Sequence, residues 1–265
     1  MKKYLVIGNP VEHSLSPKLH NYWIKENGLD AIYDKKLLKE KDIEGIIDEV
    51  RNESLSGINV TVPFKKSVIP FLNERTPIAK ETESVNTIYK KKDQIIGDNT
   101  DVSGFQRALQ HINYDARGKK IFILGAGGVV SSIVSALKKI GSSEITLSNR
   151  TREKAENLKK IYSDLKMVNW GDTISSDIII NATSLGLKED DEIKLDYSKI
   201  GPAKLFYDVI YNPPKTKFLS NAEQLNNNIE NGKMMFIYQA QLAFKIWHNI
   251  TPKIDNTVIK LLDND

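Results

Sequence analysis

The 265-residue chain has no cysteine, which excludes disulfides, thiolate nucleophiles, iron–sulfur clusters and cysteine zinc sites. Histidine is scarce: His13, His20, His111 and His248 are the four in the chain. They form neither H-E-x-x-H nor another close ligand spacing, so no metal is expected. Long apolar runs are also missing. "MKKYLVIGNP" begins basic, but its apolar stretch is far shorter than a signal-peptide core and stops at Gly8, Asn9 and Pro10. It reads as a first strand, and the protein as cytoplasmic, so the sequons "NVT" and "NAT" carry no meaning. Formal net charge is +4 with the lysines scattered. Without a basic run or an interleaved aromatic stripe, nucleic acid is not an expected partner; the mild basicity suits anionic small molecules. A content of 40% hydrophobic and 27% charged residues is that of an ordinary soluble chain and argues against both disorder and a membrane protein.

The length exceeds the roughly 100 to 200 residues usual for one domain, which favours two domains or one large α/β unit. The first hundred residues alternate: strand "YLVIG", a helix from Pro17, strand "AIYDKKLL", a helix over 41–51, strand "INVTVPF", a short helix after Lys65, then strands "VNTIYK" and "QIIGDN". That order predicts a mostly parallel, covered sheet. A second series starts at "KKIFILGAGGVV", with strand 120–124, helix 128–140, strand "EITLSN", helix 152–161 and strands "DIIINAT" and "KLFYDVIY". "GFQRALQHI" reads as the joining helix and 236–248 as another apolar one. The expected architecture is two α/β domains flanking a cleft. Residues 1–100, joined by the tail 238–265, form the first, and 101–237 form a Rossmann-type domain.

Within that pattern Gly125, Gly127 and Gly128 lie where a buried strand turns into a helix, so backbone amides can cradle a pyrophosphate. Val130 stands where a third Gly or Ala is usual. After the second strand an NAD site places a carboxylate for the ribose hydroxyls. Here "LSNRTREK" supplies Arg150, a planar fork for a 2′-phosphate, with Thr151 and Lys154 as further donors; this points to NADP. Elsewhere the chemistry stays open. Ser16 reads as the N-cap of a helix with Pro17 at its first position, which leaves Ser14 unexplained; two hydroxyls at a helix start suit a carboxylate. Asp101, between a strand and a helix, is either an N-cap or a functional acid. Lys65, just beyond a strand that Pro63 ends, is either a solvated lysine or a functional one.

The motifs "VIGNPVEHSLSPKLHN", "GINVTVPFK", "ESVNTI", "GDNTD", "LGAGGVVSS", "SNRTREKA", "IINATSLGL", "YDVIYNP" and "NGKMMFIYQAQLAF" occur in order along nearly the whole chain. Together they closely resemble the shikimate dehydrogenase family. The resemblance implies an N-terminal substrate domain, a C-terminal NADP domain, and reversible NADPH-dependent reduction of 3-dehydroshikimate to shikimate on the route to chorismate and the aromatic amino acids. It implies Lys65 and Asp101 as catalytic pair, Ser14, Ser16 and Tyr211 at the substrate carboxylate, and Thr61, Asn86 and Gln239 at the ring hydroxyls. By the same resemblance Gly125, Ala126, Gly127, Gly128 and Val129, then Asn149, Arg150, Thr151, Arg152 and Lys154, and finally Val209 and Gly232, contact NADP. The expected partner is thus a small molecule, with neither membrane nor nucleic acid, and a homodimer stays open. Ser84, Met234 and Tyr238 depart from the residues common in the family. Two alternatives stand beside this reading: a quinate/shikimate dehydrogenase of broader range, and a non-catalytic NADP sensor on the same scaffold. Retention of both Lys65 and Asp101 argues against the second.

Overall fold

The computed structural model describes residues 1–263, and the chain divides into two compact units, Met1–Gly104 with the chain from Phe236 onward, and Phe105–Met235. In the first unit, β1 (Lys2–Gly8) feeds α1 (Ser16–Glu26), which returns the chain to β2 (Ala31–Leu37), parallel to β1. A second crossover, α2 (Ile43–Arg51), leads to β3 (Gly57–Val60), parallel to the other edge of β1. Parallel neighbours need such crossovers, and the helices then cover the sheet. Ile43, Ile46, Ile47 and Val50 of α2 recur at helical spacing and pack with Ile7, Ile58 and Val60. β4 (Glu74–Arg75) and α3 (Pro77–Thr82) precede the antiparallel pair β5 (Thr87–Lys91) and β6 (Gln94–Asp98), giving the order β2-β1-β3-β5-β6-β4.

Two local expectations, the end of β3 and the cap of α1, are corrected by the structure. β3 stops at Val60 rather than running through Phe64, because the Phe64 N–H closes a turn on the Thr61 carbonyl at 3.0 Å. Lys65 therefore sits in a turn, and the first helical residues after it are the 3-10 segment Ile69–Phe71. In α1, Ser16 is the first helical residue and Leu15 the N-cap, with no side-chain cap. The nearby hydroxyl that serves the helix start belongs to Ser14, whose Oγ accepts the Ser16 N–H at 3.3 Å.

The chain enters the second unit along α4 (Asp101–His111) and forms an all-parallel sheet from β7 (Lys120–Leu124), β8 (Glu144–Ser148), β9 (Lys166–Val168), β10 (Ile178–Asn181), β11 (Leu205–Asp208) and β12 (Asn228–Glu230). Its helices are α5 (Val130–Ile140), α6 (Arg152–Ile161), α7 (Tyr197–Ile200) and α8 (Lys217–Gln224). The strand order β12-β11-β10-β7-β8-β9 puts β7 beside both β8 and β10. The chain thus winds outward, returns and winds the other way, which is the doubly wound order with its switch point at the carboxyl ends of β7 and β10. α5 begins at Val130, two residues later than 128, because the Val130 N–H closes a turn on the Gly127 carbonyl at 3.0 Å. Finally α9 (Lys233–His248), from Phe236 onward, and α10 (Asn256–Leu261) complete the first unit. The Trp247 indole there donates to Ile88 of β5 at 3.3 Å, and that of Trp23 in α1 to Lys253 at 3.2 Å.

Candidate active site

Lys65 and Asp101 come together in the first unit. Nζ of Lys65 lies 2.5 Å from Oδ2 of Asp101, with the residues 8% and 5% exposed. A buried pair survives only if its remaining lone pairs and protons are met. The second carboxylate oxygen accepts from Asn86 Nδ2 at 2.8 Å. Asp101 is free for this because it is the first residue of α4 and not its cap, which corrects the capping alternative. The capping side chain is Asn99, whose Oδ1 accepts the N–H groups of Asp101 and Val102 at 3.0 and 3.4 Å. Its Nδ2 is anchored on Thr82 Oγ1 and on the carbonyl of Ser84, both at 3.0 Å. The Ser84 departure thus meets Asn99 through its backbone. Lys66, by contrast, is exposed, 3.8 Å from Glu83.

Gln239 of α9 joins the same group, its Oε1 3.4 Å from Asn86 Nδ2 while its own amide donates to the Phe236 carbonyl at 2.9 Å. Thr61 follows β3 directly and is half-buried. Ser16 is buried and its hydroxyl bonds to the Tyr33 phenol, whose pKa burial pushes well above the ordinary value while that bond opposes the rise. From Tyr33 the hydrogen bonds continue inward. The phenol donates to Asn59 Oδ1 at 2.7 Å, and Asn59 Nδ2 donates to the Asn86 carbonyl and to Thr87 Oγ1, each at 3.1 Å.

Tyr33, Asn59, Thr87 and Asn99 escaped the sequence reading. In "INVTV" Asn59 alternates with Ile58 and Val60, and all four β3 residues are buried. The available signal is topological: a strand inside a covered sheet has two buried faces, so Asn59 must find partners.

In the second unit the glycine turn follows β7 at the switch point. Gly125 has φ +112°, and a Cβ there would lie 2.6 Å from the Ala182 carbonyl oxygen, so the turn tolerates no side chain. Ala126, Gly128 and Val129 are half-buried and Gly127 is exposed, while Val130 is wholly buried. At the end of β8, Arg150, Thr151, Arg152 and Lys154 are exposed and Asn149 is half-buried, bonding to the Thr151 carbonyl at 2.6 Å. Arg152 pairs with Glu156 at 2.9 Å. Val209 and Gly232 touch: a Cβ on Gly232 would be 2.1 Å from the Val209 carbonyl oxygen. The loop beyond β11, which carries half-buried Tyr211, is braced by Asp208, a further residue the sequence reading passed over. Its carboxylate accepts from Asn181 Nδ2 and Ile210 N–H, both at 3.0 Å, and from the Thr216 hydroxyl at 2.6 Å. Burial raises the Asp208 pKa, and these three donors oppose the rise. Met234 is buried and Tyr238 half-buried, both in α9.

A glycine turn with no room for a Cβ, at a switch point, fits a pyrophosphate. An exposed arginine at the second strand end, in place of a carboxylate, fits a 2′-phosphate. Among the described residues no group of three or more His, Asp or Glu is placed to hold a metal, and no helix is long and apolar enough to cross a membrane.

A doubly wound unit with such a turn, together with a second α/β unit holding a buried lysine–carboxylate pair, defines a two-unit α/β protein of the nicotinamide-dehydrogenase class. Residues 6–88 match the model of the shikimate dehydrogenase substrate binding domain, and residues 106–188 that of shikimate/quinate 5-dehydrogenase. The chain is 57% identical over 262 residues to the shikimate dehydrogenase (NADP(+)) of Pelagibacter ubique, covering 99% of each. It is similar to the crystal structure of shikimate dehydrogenase from Aquifex aeolicus, with a TM-score of 0.89, 33% identity, and 100% of this chain and 98% of that one covered. It is similar, too, to the Thermus thermophilus enzyme in complex with NADP(H) and shikimate, with a TM-score of 0.88, 29% identity and coverage of 98% and 97%. The chain belongs to the shikimate dehydrogenase family.

Proposed function

We propose that the chain catalyses the reversible NADP-dependent reduction of 3-dehydroshikimate to shikimate, with Lys65 as proton donor and acceptor. The observation that carries this is the Lys65–Asp101 pair, 2.5 Å apart and braced by Asn86. The chemistry NADP supplies when bound is hydride transfer to or from the carbon that bears the reacting oxygen. The chain's own residues manage the proton. In reduction the Lys65 ammonium gives a proton to the oxygen as its carbonyl becomes a hydroxyl; in oxidation the neutral amine takes that proton back. Asp101 holds Nζ in place. The hydroxyls of Ser14 and Ser16 are assigned to the substrate carboxylate, and Thr61, Asn86 and Gln239 to ring hydroxyls. Side chains that must pair with hydroxyls reject analogues that lack them. Arg150 is assigned to the 2′-phosphate.

The test is the absorbance of reduced nicotinamide when purified protein meets shikimate or quinate with NADP+ or NAD+. Shikimate with NADP+ is expected to exceed every other combination by about tenfold or more in kcat/KM. Equal turnover of quinate would move the chain to the broader quinate/shikimate type, and no turnover with any pair would leave the sensor reading.

A further inference from the structure

Thr87 is the first residue of β5, wholly buried. Its hydroxyl is therefore out of reach of any substrate, yet it stands between two amides. Asn59 Nδ2 donates to Thr87 Oγ1 at 3.1 Å, and Thr87 Oγ1 is 3.0 Å from Asn86 Oδ1, with Thr100 Oγ1 farther at 3.5 Å. The direction of these bonds is forced. The Asn86 backbone carbonyl, which can only accept, lies 3.1 Å from the Asn59 amide nitrogen and so turns that nitrogen toward Thr87 and leaves Asn59 Oδ1 to accept from the Tyr33 phenol at 2.7 Å. Thr87, receiving that proton, gives its own to Asn86 Oδ1. Asn86 then presents its amide nitrogen to Asp101 Oδ1 at 2.8 Å, and Asp101 Oδ2 holds Lys65.

We infer that Thr87 is a positioning residue for the reaction: its hydroxyl fixes the orientation of the Asn86 amide, and through it the Asp101–Lys65 pair. The inference rests on the function proposed above. Asn86 has another fixed donor, the Thr100 N–H at 2.8 Å, and Asn59 Nδ2 another acceptor, the Asn86 carbonyl at 3.1 Å. Loss of the Thr87 hydroxyl thus leaves Asn59 Nδ2 one bond and leaves Asn86 Oδ1 both donors of Thr100, the N–H at 2.8 Å and the hydroxyl at 3.2 Å. The network keeps its satisfaction and the fold its stability, while Asn86 Oδ1 loses one of its three donors, the one that does not come from Thr100. Asn86, assigned to a ring hydroxyl, then meets the substrate less well, a loss that is read mostly in KM.

Thr87→Val removes the hydroxyl while keeping the branched shape that suits a strand, and Thr87→Ser restores it. With shikimate and NADP+, Thr87→Val is expected to lower kcat/KM for shikimate by about five- to tenfold, mostly through KM, the size of one lost neutral hydrogen bond. KM for NADP+ and the unfolding midpoint should stay at parental values, and Thr87→Ser should come within about twofold of the parent. Added to Asn86→Ala, Thr87→Val should lose nothing more, since its effect passes through that side chain. Parental kcat/KM in Thr87→Val, failure of Thr87→Ser to rescue, or a full additional loss on the Asn86→Ala background would overturn the assignment. A parent protein inactive on shikimate would instead overturn the functional reading itself, so the two failures are told apart.

Discussion

Lys65 and Asp101 are each buried with the other as partner. Side chains 10% and 7% exposed give up most of their hydration, and what offsets that is mutual attraction plus the Asn86 bond. Lys65→Ala should strand the Asp101 carboxylate in a buried place with Asn86 as its main partner. Breaking such a pair from one side typically costs about 3–5 kcal/mol, whereas replacing both members by neutral groups of similar volume is often nearly neutral. Urea unfolding should therefore place the double variant Lys65→Met with Asp101→Asn close to the parent and well above Lys65→Ala. A double variant no more stable than the single one would contradict the pairing. At this scale the sequence was informative about which residues carry chemistry and less so about what holds them. Lys65 and Asp101 stand out after strand ends, but Asn59 and Thr87 are ordinary polar residues within strands. Their partners are set by strands and helices far away in the chain, and no local pattern encodes those contacts.

Helices α1 and α9 meet in an aromatic cluster that contains an uncommon group. His20 is 1% exposed and stacks on Tyr33 at 4.2 Å, with Trp23, Phe244 and Trp247 around it. Neither of its ring nitrogens has a hydrogen-bond partner. Burial, helped by the nearby charge of His248, lowers the His20 pKa from 6.5 to about 3, and burial with Lys2 lowers that of His248 to about 4. The unfolded chain, with its ordinary histidines, thus binds protons that the folded one does not between pH 6.5 and those values. Stability is full above that window and falls as pH drops through it, by about 1.4 kcal/mol per pH unit from His20. His248 is partly solvated and adds less. Urea midpoints followed by tryptophan fluorescence should drop between neutral pH and about pH 5, and His20→Leu should flatten the drop without loss of stability at neutral pH. An unchanged acid limb in His20→Leu would place the sensitivity elsewhere. The elements themselves were largely legible where burial is continuous: α6 spans the expected 152–161, and the apolar strands β7 and β10 fall where their runs lie. Ends were less so. Ser16 looks like a cap by residue type, but the backbone enters α1 through Leu15, and the turn that closes on Gly127 delays α5.

At the scale of the molecule, two sheets divide the labour. One is all parallel in doubly wound order with a glycine turn at its switch point; the other is mixed, and its buried polar groups converge on a single lysine. The order of the second sheet was foreseeable from its alternating strands and helices, since right-handed crossovers leave few ways to wind them. The short strands β4, β9 and β12 were not, because two or three residues carry no periodicity. In the proposed function the lysine held by Asp101 moves the proton of the reacting oxygen. The most direct measurement is kcat for shikimate oxidation by NADP+ in Lys65→Ala beside Lys66→Ala, with the folded double variant Lys65→Met, Asp101→Asn as control. Loss of acid–base help should lower kcat by about 100- to 10,000-fold in Lys65→Ala and in the double variant, with NADP+ affinity retained and Lys66→Ala near the parent. A Lys65→Ala protein that oxidises shikimate within a few fold of the parent would rule out Lys65 as the carrier of that proton.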